Sequence, residues 1–153
     1  MNEDWAYLAG LIDGEGCITI DKIRLFARNG SGKFRWRYKL SLRVAMCDKP
    51  TLDWIARLFA GKVYPRSRNS MKRLSPKARQ QWCWVTTDSN AERVIVGIQP
   101  WLKNKLVEAN AALAFRKTVA SEHRLSPATL AAQEMFKLQL MGLKRQEYLV
   151  APN

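Results

Sequence analysis

The chain has 153 residues, enough for one well-buried domain and too few for two. Its 26 Lys and Arg against 13 Asp and Glu leave a net charge of +13, and no apolar run approaches the roughly 18–20 residues of a membrane span. Such an imbalance costs self-repulsion, so a polyanionic partner is expected, with nucleic acid ahead of a membrane surface.

A first helix is predicted from about Asn2 or Asp4 to Ile12, with Glu3 and Asp4 in an acidic first turn. That start is the opposite of a secretory signal, so an intracellular protein is expected. Trp5, Leu8, Leu11 and Ile12 bring apolar bulk, while Ala9, Gly10 and Gly14 leave a flat strip for another backbone. A helical glycine costs roughly 1 kcal/mol against alanine, so it usually has a packing reason. With one such stretch in the chain, the expected partner is a second copy across a twofold axis. The helix ends in Asp13-Gly14-Glu15-Gly16. There a carboxylate faces the negative end of the helix dipole and unpaired carbonyls, at a cost of about 0.3–1 kcal/mol. A hard divalent cation reverses that sign, which makes this helix end a candidate metal site.

Gly16 releases the chain into a strand with Ile18 and Ile20 on one side and Cys17, Thr19 and Asp21 on the other. A polar hairpin loop is expected over Arg28–Lys33. From Phe34 to Val44 the alternation is clean: Phe34, Trp36, Tyr38, Leu40, Leu42 and Val44 form a dry face. The wet face carries Arg35, Arg37, Lys39, Ser41 and Arg43. Solubility alone favours mixed signs, because like charges side by side repel. A two-stranded ribbon of this kind fits the DNA major groove, where arginine pairs bidentately with guanine. Asp21 either accepts from a cytosine amino group or neutralises a nearby arginine.

A helix is expected after the N-cap Asp48, with Pro50 in its first turn and a stop at Ala60-Gly61. A third strand follows over Lys62–Asn69, with Arg66 and Arg68 on one face, then a basic loop over Ser70–Gln80 that includes Lys72. A fourth strand, Gln81–Thr87, sets Trp82, Trp84 and Thr86 against Cys83 and Val85, and the pattern leaves open which face is buried. Ser89 and Glu92 suggest a capping box for a helix from Asn90 to about Ile98. Pro100 is expected to open another, from Trp101 to roughly Val119, and Ser126-Pro127 a last one. The order is αββαββα plus C-terminal helices, an α+β fold with one antiparallel sheet.

Cys17, Cys47 and Cys83 are odd in number and far apart, which predicts reduced, mostly buried thiols. There is no CxxC pair, and His123 is the only histidine, which argues against zinc and against an imidazole base. Phosphodiester hydrolysis needs an in-line water, charge neutralisation at phosphorus and help for the leaving oxygen, all of which divalent ions supply.

The stretch Leu8-Ala9-Gly10-Leu11-Ile12-Asp13-Gly14-Glu15-Gly16 resembles the signature of the LAGLIDADG homing endonucleases, departing from the namesake at Gly14 and Glu15. Weaker likeness continues through Lys39–Val44, Asp48–Tyr64, Arg66 and Gln99-Pro100-Trp101-Leu102-Lys103, over roughly the first 115 residues. The resemblance implies a homodimer whose signature helices meet at the twofold, with Leu8, Ala9, Gly10, Ile12 and Asp13 at the interface. It implies two sheets forming a saddle over a long, near-palindromic site in double-stranded DNA, cut on both strands with Mg²⁺. Ca²⁺ would bind without supporting cleavage. Glu15 takes the place of the metal-binding, water-activating carboxylate, the Gly14 carbonyl that of a backbone ligand, and Lys103 that of the basic active-site residue. DNA contacts are expected from Thr19, Asp21, Arg24, Arg28, Lys33, Arg35, Arg37, Lys39, Ser41, Arg43, Arg66, Arg68 and Lys72. Asp13 is expected to be structural. A glutamine common in the family just after the second strand aligns with Met46.

One domain is expected over residues 1–153, with a core of about 1–120 and a helical extension of about 121–153. No membrane and no small-molecule substrate are expected. The alternative reading is a non-cleaving nucleic-acid-binding protein of the same fold, such as an intron RNA maturase or a DNA-binding regulator. A purely structural basic protein leaves the helix-end carboxylates and the cationic strand unexplained.

Overall fold

The computed structural model describes residues 2–27, 30–67, 77, 79–119 and 125–149. Helix α1 (Asn2–Glu15) runs three residues past its expected end, so Glu15 is itself the last helical residue. The chain then turns directly into β1 (Gly16–Phe26). Only glycine allows that turn, because a Cβ on Gly16 would lie 2.5 Å from the Ile12 Cα.

β1 pairs antiparallel with β2 (Phe34–Met46) from Gly16↔Val44 to Phe26↔Phe34. Helix α2 (Lys49–Phe59) follows, with Asp48 at its N-cap and Pro50 in its first turn. The Asp48 carboxylate accepts from the Thr51 hydroxyl and makes no backbone cap. β3 (Lys62–Pro65) is shorter than expected, although Arg66 N still donates to Gln81 O at 2.9 Å. β4 (Trp82–Thr87) completes an antiparallel sheet in the order β1-β2-β4-β3.

One face of the sheet is dry. Ile18, Ile20, Tyr38, Leu40, Leu42, Val44 and Trp84 are buried on it. Leu8, Ala9 and Ile12 of α1 and Leu52, Ile55 and Phe59 of α2 close over it. Helix α3 (Asp88–Ile98) adds Val94, Ile95 and Ile98, and α4 (Leu106–Lys117) adds Ala112 and Phe115. Each large side chain buried there contributes about 1.5–3 kcal/mol. The face left open by the β4 alternation is thereby settled: Trp84 and Thr86 point into the core, and Trp84 Nε1 donates to Ala60 O at 2.8 Å.

Three expectations are corrected. Phe34 and Trp36 belong to the dry face by register yet are 47% and 38% exposed, because the helices stop short of the hairpin end. The capping box does not form: α3 starts at Asp88, no side chain caps it, and Glu92 accepts instead from Arg116 Nε at 2.9 Å. The helix expected from Trp101 to Val119 is broken into a 3₁₀ turn (Gln99–Trp101), an irregular stretch and α4. The amides of Lys103 and Lys105 point away from any helical ladder, at an acceptor on α1.

Helix α5 (Pro127–Leu149) begins with Ser126 Oγ accepting from Thr129 N at 3.1 Å, and it lies along the free edge of β1. Leu140 is buried there, Glu134 accepts from Lys22 Nζ at 2.6 Å and from the Tyr38 hydroxyl, and Lys144 Nζ lies 3.0 Å from Cys17 Sγ. Covering an edge strand removes a template for unwanted pairing. Among the described residues, no helix is long and apolar enough to cross a membrane. Cys17 and Cys83 are half-buried, but Cys47 is exposed, against the expectation of burial.

Candidate functional site

The end of α1 divides two acidic residues. Asp13 turns inward, where its carboxylate accepts from Lys103 N at 2.7 Å and Lys105 N at 3.0 Å. In return Lys105 Nζ donates to Asp13 O at 2.5 Å. Asp13 thus staples the Lys103–Lys105 stretch to the helix end, and Lys105 places a cation on a last-turn carbonyl, where the helix dipole favours it. Glu15, two residues on, is exposed, and no hydrogen bond or ion pair engages its carboxylate among the described residues. The staple holds the backbone of Lys103 beside this helix end, and its side chain is exposed. Lys105 went unnoticed in the sequence, although the Lys-x-Lys spacing after Pro100-Trp101-Leu102 was its visible signal.

No group of three or more His, Cys, Asp or Glu side chains gathers among the described residues. One protomer therefore offers a divalent ion a single carboxylate, Glu15, and neighbouring backbone carbonyls such as that of Gly14. That donor set suits a hard cation that keeps waters and accepts phosphate oxygens, as Mg²⁺ does, and does not suit zinc.

The outer face of α1 carries Glu3, Tyr7, Gly10 and Gly14, and all four are exposed. A Cβ added at Gly10 or Gly14 would meet nothing within 4 Å. Neither glycine has a reason within the protomer. Of the residues expected at the interface, Leu8, Ala9 and Ile12 are fully buried in their own core, and Asp13 is tied to the Lys103–Lys105 stretch. Of the five residues expected at a dimer contact, Gly10 alone lies on the open face.

Beyond Gly16 the second face of the sheet opens. Cross-strand partners share a face, so the register puts Cys17, Thr19 and Asp21 together with Arg43, Ser41 and Lys39. Arg35 and Arg37 continue this face toward the hairpin, and Val85 and Lys62 extend it on the other side of Arg43. Lys33 is exposed in the hairpin loop, and Arg66 Nη1 donates to Gln81 Oε1 at 2.8 Å. Arg28, Arg68 and Lys72 lie outside the described residues.

Not every expected contact is free on this face. Arg37 Nη2 donates to Asp88 Oδ2 at 2.9 Å. Asp21 accepts from Ser41 Oγ at 2.7 Å and from Arg43 Nη2, so of its two expected roles it takes that of partner to an arginine. Arg24 is a correction. It pairs across from Trp36 on the helix side of the sheet and stacks over Phe34 and Trp36, at 5.0 and 5.1 Å from their ring centroids. Met46 is the last residue of β2, on the core side opposite Trp82, so it is not the position beyond the strand; Cys47 and Asp48 are.

The sequence profile described as LAGLIDADG endonuclease matches residues 8–96. Among solved structures, the fold is similar to that of the homing endonuclease I-CvuI in complex with its DNA target in the presence of calcium. The TM-score is 0.71 at 19% identity, over 93% of this chain and 82% of that one. It is also similar to the homing endonuclease I-TnaI, with a TM-score of 0.67 at 17% identity over 92% and 93% of the two chains. No curated protein sequence matches the chain.

Proposed function

This chain belongs to the LAGLIDADG endonuclease family, and we propose that it works as a homodimeric, divalent-metal-dependent endonuclease cutting both strands of DNA at a long, near-palindromic site. The observation that carries this reading is the exposed carboxylate of Glu15, unpaired among the described residues. It stands at a helix end whose dipole disfavours it, one residue before the strand that opens the cationic face. Glu3, also exposed and without a partner among the described residues, lies in the first turn of α1 where the dipole favours it. Glu15 is unpaired at the end where the dipole opposes it, and a divalent ion would supply what it lacks.

The chain's own residues divide the work. Glu15 and the Gly14 carbonyl would hold Mg²⁺ against the scissile phosphate, and Glu15 would orient the attacking water. When bound, the ion neutralises charge at phosphorus and assists departure of the leaving oxygen. Lys103, held by the Asp13 staple, would set a positive charge beside the same phosphate. Arg35, Lys39 and Arg43 would place the duplex in register along the sheet. A second copy, packed along Gly10 and Gly14, would bring the partner's Glu15 to the other strand. Two carboxylates near one axis repel unless cations lie between them, which again favours metal.

The test is incubation with a plasmid library of candidate sites, with Mg²⁺ and with Ca²⁺, alongside sedimentation of the free protein. Cleavage with Mg²⁺ alone, by a dimer, supports the proposal. Sequence-selective binding with no cut under either ion would make this a non-cleaving binder of the same fold, as in a maturase or a regulator.

A further inference from the structure

The carboxylate of Asp21 is out of place on the sheet. Its cross-strand neighbour is Lys39, yet it makes its ion pair with Arg43, which is opposite Cys17. For the two to meet, the Arg43 side chain must run back along β2 over Ser41. Ser41, though on the open face, is fully buried and gives its hydroxyl to the same Asp21 oxygen at 2.7 Å. One carboxylate oxygen therefore anchors both the guanidinium and the serine beneath it.

An arginine that merely binds phosphate gains nothing from such an anchor. It loses net charge to the carboxylate and keeps its flexibility in water. An arginine that reads a base gains a great deal, because bidentate pairing needs the planar fork held in one orientation. Asp21 engages a single Nη2 hydrogen, which leaves the second Nη2 hydrogen and both on Nη1 for two parallel bonds to an acceptor pair. In the major groove that acceptor pair is guanine O6 and N7. The Arg43 side chain is 39% exposed and Asp21 26%, so the fork is reachable from the groove while its anchor is partly shielded.

We infer that Asp21 and Ser41 are positioning residues that lock Arg43 as a reader of guanine at an inner position of each half-site. Arg43 is opposite Cys17, two residues from Glu15. At about 3.3 Å per strand residue, the guanine lies nearer the cut than any base read by Arg35. The inference rests on the DNA reading above.

The experiment is binding of the full chain to a randomised duplex library, scored position by position, for the wild type, Arg43→Ala, Arg43→Lys and the isosteric Asp21→Asn. Thermal melts check that each variant folds. The wild type is expected to select guanine at one symmetric pair of positions by about 5- to 100-fold, the range for a good bidentate pair. Replacing that guanine by 7-deazaguanine should weaken binding by a similar factor. Arg43→Ala and Arg43→Lys should abolish the preference. Asp21→Asn should reduce it at least threefold at that position alone, while total affinity for non-selected DNA holds or rises because a negative charge is gone. If Asp21→Asn raises affinity but leaves the guanine preference within twofold, the anchor only balances charge and the inference fails. If selectivity at other positions persists but none tracks Arg43, the inference fails while the DNA reading stands. Absence of any duplex binding by the folded wild type would overturn both.

Discussion

The inward and outward sides of one helix end are built on opposite plans. On the inward side of α1, every group is used: Leu8, Ala9 and Ile12 are fully buried, and Asp13 spends both carboxylate oxygens and its carbonyl on the Lys103–Lys105 stretch. On the outward side, Gly10 and Gly14 face open space and Glu15 has no partner among the described residues. Folding explains the first set and leaves the second unexplained. Groups that the isolated protomer holds at a cost, without return, are where a second molecule is to be sought.

Exchange of the two acids should break this comparison most visibly. Glu15→Gln removes nothing the fold uses, so its midpoint of thermal unfolding should stay within about 2 °C of the wild type, as for other surface changes. Cleavage of a cognate duplex should nevertheless fall by about 10³-fold or more, with binding retained. A cleaving Glu15→Gln protein would remove this carboxylate from the chemistry. Asp13→Ala should do the reverse first. It strands two amides and frees the loop, costing about 2–3 kcal/mol in urea unfolding, since hydrogen bonds to a charged group are worth about 1.5–3 kcal/mol each before exposure is allowed for. Any loss of activity in Asp13→Ala should follow from displacement of Lys103.

The glycines sharpen the same contrast. Gly16→Ala puts a Cβ 2.5 Å from backbone and should destabilise the protomer by about 2 kcal/mol or more. Gly10→Ala meets nothing in the protomer and should stabilise it by about 0.5–1 kcal/mol through helix propensity. If α1 packs on a second α1, the same substitution should weaken the dimer in sedimentation equilibrium. Gains in both stability and association would exclude a close contact at Gly10.

How much of this was legible in the sequence depends on the range of the interaction involved. The strand alternation gave both faces of β2, because period two is a local property. It misjudged burial at Phe34 and Trp36, because which residues the helices cover is decided elsewhere in the chain. The resemblance names Leu8, Ala9 and Ile12 for a dimer contact, but a nine-residue signature does not reveal which side of its helix the core takes, and all three are buried in the protomer. The break between the 3₁₀ turn and α4 was invisible for a similar reason. Its cause, the Asp13 carboxylate, lies 90 residues from Lys103. Asp13 and Glu15 look alike as local sequence; the resemblance gives them different roles, and the fold adds which amides Asp13 holds.

A third carboxylate supplies the control, since it is committed like Asp13 yet far from Glu15 in sequence and on another element. Glu134 of α5 accepts from Lys22 and Tyr38, and these bonds hold its pKa at about 2, below the ordinary 4.5. A depressed carboxylate pKa means that its stabilisation is complete above the unfolded value and is lost as pH falls from about 4.5 through about 2. The Glu134 and Lys22 side chains are 29% and 34% exposed, so solvent screening reduces the effect to about 1 kcal/mol. Urea unfolding of wild type and Glu134→Gln should therefore differ by about that amount at pH 6 and converge toward pH 2. A difference independent of pH would assign the contact to packing of α5 on β1. Because Glu134 anchors a helix that covers the β1 edge, its loss should leave Mg²⁺-dependent cleavage at pH 7 within about threefold, an effect small beside that of Glu15→Gln.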